Sequence, residues 1–281
     1  MNRIRVLRNP SSVIRDGSTA LQSGPKALLG IVIAKARHLR HAARYGDAAP
    51  SPYELVWVDP ADIEYCTLPS LMGQLNLSQY GTHVVGGGWD RLVRYDDVWH
   101  TRAFDPPVIA PFESHALYRS MRAHFDEGVP WEDTEWYHWV DEHPETVGQY
   151  PTAESTVERL GRVDELFEFI RSNGYKTQRE LESYGNVPLK QSTFPHPEHY
   201  EIDVNIGRSG ELLFNFNGRH RLAIAKILGI DRVPVRIFAR HREWQRKRVA
   251  AVETPERAIR AEHPDLKHLL PRSVRPPSTG D

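Results

Sequence analysis

Cysteine is almost missing from this chain: Cys66 stands alone among 281 residues. An intramolecular disulfide is therefore excluded, and no thiolate set exists for a structural zinc. Such a count fits a reducing interior, and a cytoplasmic location is expected. Long apolar runs are lacking too. The longest, Ala27 to Ala34, falls far short of the about 20 residues that a membrane span needs. The first twenty residues hold no apolar signal-peptide core. Nor is there an excess of either charge, since 36 Lys and Arg face 37 Asp and Glu. Any pull toward nucleic acid or acidic lipid has to be local.

What is present is ordinary globular material, with 40% hydrophobic and 10% aromatic residues and no internal repeat, enough for a substantial core. The first fifty residues are locally basic. They carry Arg3, Arg5, Arg8, Arg15, Lys26, Lys35, Arg37, Arg40 and Arg44 against only Asp16 and Asp47. Pro25 is placed to open a helix, apolar from Leu28 to Ile33 and basic in its later turns. Residues 1–50 read as a basic helical arm, either a solvated surface helix or one able to lie on an acidic or membrane surface. Gly46 to Pro52 reads as a linker.

The pattern from 53 to 240 predicts a small mixed sheet with helices, an α+β domain. Tyr53 to Val58 alternates as a strand and ends at Asp59-Pro60. Val84 to Arg91 predicts a strand running into three glycines. Gly87, Gly88, Trp89, Asp90 and Arg91 are either a structural turn or the lining of a ligand pocket. Residues of about 93–157 read as a helical insertion with an aromatic core and solvated acids; His138 and His143 have the wrong spacing for a helical zinc pair, and no metal ligands are assigned. Val163, Leu166, Phe167 and Ile170 share one helical face, and Asn173-Gly174 supplies a stop. Glu201 to Ile206 alternates as a half-buried strand, placing Glu201 and Asp203 on a solvent face. A hairpin turn follows at Gly207–Gly210, then a return strand to Phe216, a helix over 219–228, and a strand from Val233 whose Pro234 suggests an edge. Residues 240–248 read as a solvated basic helical face, and the tail beyond Pro271 as disordered.

The stretch Phe214-Asn-Phe-Asn-Gly-Arg-His-Arg-Leu222 carries the chemistry. It runs from strand through glycine into helix and puts Arg219, His220 and Arg221 in the first turn. A helix N-terminus already holds about half a positive charge, which opposes each cation by roughly 0.3–1 kcal/mol. An anion relieves that conflict, and phosphate is the usual one. Gly218 lets backbone N–H groups approach it. The competing reading is an ion-pair network with structural carboxylates.

The hairpin at 201–216, the Gly-Arg-His-Arg helix start, the strand from 233 and the helix stop at Asn173-Gly174 together resemble the ParB/sulfiredoxin-like superfamily. Val58 to Ile63 looks like that family's opening strand and turn. The resemblance covers roughly residues 53–92 and 160–240. It implies a ParB/sulfiredoxin-like core that holds nucleotide phosphates with Asn217, Gly218, Arg219, His220 and Arg221. ATP, ADP or CTP with Mg²⁺ is the implied cofactor. Sulfiredoxins place a reactive cysteine where this chain has Arg219, so sulfinic-acid reduction is not expected. Partition proteins follow a Gly-Glu-Arg-Arg turn with a helix-turn-helix region, for which residues 241–281 offer no recognition helix. Asn217-Gly218-Arg219-His220-Arg221 is similar to the Asp-Gly-His-His-Arg turn of the free-serine-kinase type. The resemblance then implies a phosphotransferase acting on a small molecule, with His220 and an acid near the first strand, Asp62 or Glu64, in catalysis. Glu64 is the residue assigned; Glu201 and Asp203 are alternatives. A DNA-binding protein or nucleotide switch is the other reading.

Overall fold

The computed structural model describes residues 25–94, 107–142, 153–184, 196–254, 263–267 and 269. Among them lie eight helices and one mixed sheet. The helices are α1 (Pro25–Tyr45), α2 (Leu71–Gln74), α3 (Ala116–Glu127), α4 (Glu135–Glu142), α5 (Ala153–Asn173), α6 (Arg219–Ile227), α7 (Arg242–Glu253) and α8 (Pro264–Lys267). The strands are β1 (Leu55–Val58), β2 (Tyr65–Leu68), β3 (His83–Val85), β4 (Val93–Arg94), β5 (Val108–Pro111), β6 (Ile202–Ile206), β7 (Leu212–Phe214) and β8 (Val233–His241). Their order is β1-β8-β6-β7-β2-β5-β4, with β3 beside the far half of β8. The tail beyond Pro271 and the segment preceding α1 lie outside the described residues.

Strand alternation sorts the sheet into two covered faces. Ile202, Val204 and Ile206 of β6, Val233, Val235 and Ile237 of β8, and Leu212 and Phe214 of β7 point into the main core. There they meet Leu117 and Met121 of α3, Val163 and Phe167 of α5, and Leu222 and Ile224 of α6. The other face carries a smaller core of Leu71, Trp89, Ile109, Leu213, Phe238 and Ala239. The helical face expected of Val163, Leu166, Phe167 and Ile170 is buried, at 0–6% exposure, and Gly174 stops α5 at φ 72. The hairpin forms as expected, with Gly207 N–H donating to Glu211 O at 3.0 Å.

Four sequence expectations are corrected. First, β6 is buried at every position. Its alternation is real, but the second face does not meet water: Glu201 and Asp203 are interior, at 0% and 2% exposure, the first held by Arg221 and the Gln178 N–H and the second by Arg236 and Asn217. Second, β8 is not an edge: it pairs with β1, β3 and β6. Pro234 is tolerated because β6 pairing starts only at Val235, so the missing N–H falls where that neighbour has not yet begun. Third, the 93–157 region is not wholly helical: β4 and β5 extend the sheet beyond β2. Fourth, the basic stretch 240–248 is solvated only in part: Arg242, Arg246 and Lys247 are exposed, but two of its arginines are interior. Arg240 and Arg248 are 1% and 0% exposed, because α8 brings Asp265 between them.

Candidate functional site

The sheet and helix α6 meet at a glycine. Gly218 sits at φ 82 as the N-cap of α6, and a Cβ there would lie 2.7 Å from the Ile202 Cα. No L side chain fits both the dihedral and the space. The turn is zipped onto β6 by Asp203 N–H donating to Asn217 O at 3.1 Å and Asn215 N–H donating to Asp203 O at 2.9 Å. No side chain caps the helix start, so its first-turn N–H groups lie outside the intrahelical ladder.

The three basic residues of that turn have separate fates. Arg221 is buried and donates to Glu201 Oε2 at 2.7 Å, to the Lys176 carbonyl, and lies 4.4 Å over the Tyr175 ring. Glu201 also accepts from the Gln178 N–H at 2.6 Å. Burial pushes the Glu201 carboxyl above its usual range, while Arg221 and that N–H pull it back. The charge conflict expected of Arg221 at a helix start is thus answered by a carboxylate of this chain, and Arg221 is removed from the phosphate-binding set. His220 has its Nε2 enclosed without a hydrogen-bond partner. Burial holds its imidazole down to about 3, and the charges of Arg159 and Arg219 add to this, so it is a neutral ring rather than a cation. Arg219 lies 5.9 Å over the Phe214 ring, and its charge reaches Cys66, whose thiol burial pushes up to about 12. Cys66 donates to Ala110 O at 3.2 Å and is inert as a nucleophile.

Asn217 and Asp203 belong to a second buried network. Arg236 donates Nε to Asp203 Oδ1 at 2.6 Å and Nη2 to Asp203 Oδ2 at 2.8 Å, and Asn217 Nδ2 donates to Asp203 Oδ2 at 3.2 Å and to His199 O at 3.3 Å. Asn217 therefore positions the turn with its amide N–H groups. Asp203 is committed to Arg236 and Glu201 to Arg221, so neither is available as the alternative base.

Two groups of expected site residues lie elsewhere. Glu64 is exposed at the start of β2, and its carbonyl accepts from Phe112 N–H at 2.8 Å. Its neighbour Asp62 senses Asp59, His263, Glu64 and Lys226, after burial raises it. Lys226 is in the last turn of α6, about 9 Å along the axis from His220. Glu64 is exposed whereas the His220 Nε2 is enclosed, and Glu64 is not among the charges that act on the His220 ring. The glycine loop forms a clasp with the hairpin. Asp90 accepts from Arg208 Nε and backbone N–H at 2.8 and 2.7 Å, and Arg208 Nη2 donates to Gly87 O at 2.8 Å. Trp89 is buried in the smaller core, and Arg91 N–H closes the turn on Gly88 O at 2.9 Å. Arg208 follows the last residue of β6 and Gly218 packs on the first, on the order of 16 Å apart along the strand. The loop and the helix start form separate places.

The arrangement thus brings together Gly218, Arg219 and His220, holds Asn217 behind them and adds Arg159 from α5. Arg159 was missed because a lone arginine on a surface-patterned helix turn gives no sequence signal. Among the described residues no cluster of three His, Cys, Asp or Glu is positioned to hold a metal, and no helix is long and apolar enough to cross a membrane. No family model, curated protein or solved structure matches this chain.

Proposed function

We propose that the chain binds nucleotide phosphates (ATP, ADP or CTP, carried with Mg²⁺) at the N-terminus of α6, as a ParB/sulfiredoxin-like protein. The observation that carries this reading is the enclosed, unpartnered Nε2 of His220 on a helix start that no side chain caps. A buried polar atom left unsatisfied costs about 1–3 kcal/mol. A phosphate oxygen accepting from the neutral imidazole N–H removes that cost and meets the positive end of the helix. Gly218 seats the helix start against β6, and Arg219 supplies charge. The hairpin, left-handed glycine, helix and returning strand support the superfamily reading.

Of the two activities the resemblance implies, binding as a nucleotide switch is favoured over phosphoryl transfer to a small acceptor. Transfer needs a group that orients the nucleophile and a ligand for Mg²⁺, which bridges and neutralises the phosphates. Glu201 and Asp203 each already hold an arginine, and Glu64 is not among the charges that act on His220.

Calorimetric titration of the full chain with ATP, ADP and CTP, with and without Mg²⁺, tests the proposal. At least one is expected to bind, and to stabilise the fold by about 2.7 kcal/mol at 100 times its Kd. Arg219→Ala is expected to weaken binding roughly tenfold or more, the loss of a hydrogen bond to a charged group. Glu64→Gln is expected to leave it unchanged. Nucleotide consumption that requires a small acceptor and is lost in Glu64→Gln would restore the kinase reading. No response to any nucleotide overturns both.

A further inference from the structure

Helix α1 packs the reverse of an ordinary surface helix. Its small residues face inward: Ala27, Gly30 and Ala34 are buried, together with Ile31, against Tyr53, Tyr80 and Tyr200. A Cβ on Gly30 would lie 2.6 Å from the Tyr80 ring, so the helix is seated as closely as its backbone allows. Polar bonds fix its roll. Arg37 Nη1 donates to Tyr80 O, and His38 Nδ1 pairs with Pro50 O at 3.1 Å. With that face committed, the large aliphatic residues point outward. Leu28, Leu29, Val32 and Leu39 are 37%, 60%, 61% and 58% exposed. They are half of the eight exposed large hydrophobics among the described residues, which makes them a patch rather than scatter.

The charges around this stripe select its occupant. On a helix of 3.6 residues per turn, Leu28, Val32 and Leu39 fall within about 40° of one another, with Arg40 about 80° and Arg44 about 120° to one side of Val32. Both arginines are exposed. Across Pro25–Tyr45 there is no acidic residue. A second copy seated on the stripe would set like against like in a two-fold contact, arginine facing arginine with no carboxylate between. Anionic headgroups instead complement the flanks while the acyl boundary takes the leucines, the arrangement of a helix lying in a bilayer interface. We infer that α1 docks this protein onto an anionic lipid surface, in the membrane plane and without crossing it. This inference stands apart from the nucleotide site.

Sedimentation of the full chain with vesicles of phosphatidylcholine, alone or mixed with phosphatidylglycerol, tests it. Binding is expected to the mixed vesicles only and to weaken as salt rises. Leu29→Asn with Val32→Asn, and separately Arg40→Glu with Arg44→Glu, are each expected to reduce partitioning roughly tenfold or more. All four positions are exposed, so both variants should keep the wild-type circular dichroism spectrum. Equal binding to neutral vesicles, undiminished binding by both variants, or no binding by the full chain overturns the inference. In the last case, a dimer abolished by the Leu29/Val32 variant would assign the stripe to a second copy. A vesicle affinity that appears only on deleting residues 1–24 would assign it to that segment.

Discussion

Gly218 and Gly229 flank the same helix with left-handed backbones, φ 82 and φ 61, yet they answer to different constraints. A side chain at Gly229 would meet nothing within 4 Å, whereas one at Gly218 would strike the Ile202 backbone. Gly229→Ala is therefore expected to lose about 1–2 kcal/mol, the left-handed penalty alone. Gly218→Ala should lose clearly more, since β6 or the turn must shift as well. Urea unfolding of the two variants checks the order, and equal losses would mean that the Ile202 contact relaxes freely. The same scale explains why the basic triplet misled. Arg219, His220 and Arg221 read alike as cations in sequence, but His220 is held neutral by burial and Arg221 is matched by Glu201. Arg219 keeps its charge beside the Phe214 ring.

At the scale of elements, α8 shows how a short segment is held by one charge. Four residues cannot sustain a helix alone. Here Asp265, fully buried, accepts from Arg240 Nη2 and Arg248 Nη1, each at 2.6 Å, and from Trp244 Nε1 at 2.9 Å. Burial by itself would raise this carboxyl; the two guanidinium groups outweigh it and hold it far below the usual range. Asp265→Asn leaves two arginines buried without a counter-charge and is expected to destabilise the fold by about 3–5 kcal/mol. Amide exchange should rise first in α8 and α7. Wild-type exchange in α8 with unchanged stability would show that the pair of arginines is solvated. Because the folded carboxyl titrates below the unfolded one, its contribution is complete above the ordinary aspartate range, about pH 4, and is lost as pH falls beneath it.

Over the whole molecule, imidazoles lowered by burial contribute to the acid response, His41 among them at about 4. Burial holds His83 at about 4, His199 at about 3 and His220 at about 3, each pushed further by nearby arginines. In the unfolded chain they bind protons near pH 6.5, and in the folded state only well below that. Their contribution to stability is therefore full above about pH 6.5 and falls as the solution is acidified toward pH 4, by at most about 1.4 kcal/mol per pH unit for each ring. Denaturant midpoints at a series of pH values should drop steadily through that window. A flat profile would show the rings protonated or exposed in the native state.

Local signals told truly what local physics decides. The apolar spacing of α5, the Asn173-Gly174 stop, the hairpin at Gly207–Gly210 and the entry into α6 depend on residues a few positions apart, and they formed as read. The period-two alternation of β6 was also legible; which medium lay beyond its second face was not. That depended on segments distant in sequence: Glu201 meets its arginine 20 residues away, Asp203 meets Arg236 33 away, and Asp265 lies 25 and 17 from Arg240 and Arg248. A charged residue in isolation implies water, since burying it alone is prohibitive; only the tertiary structure supplies the opposite charge that makes burial tolerable. The same holds for the candidate site. Its glycine, histidine and first arginine were visible as a motif, but the pairing of Arg221 with Glu201 and the arrival of Arg159 were decided by how strand β6 and helix α5 pack around α6.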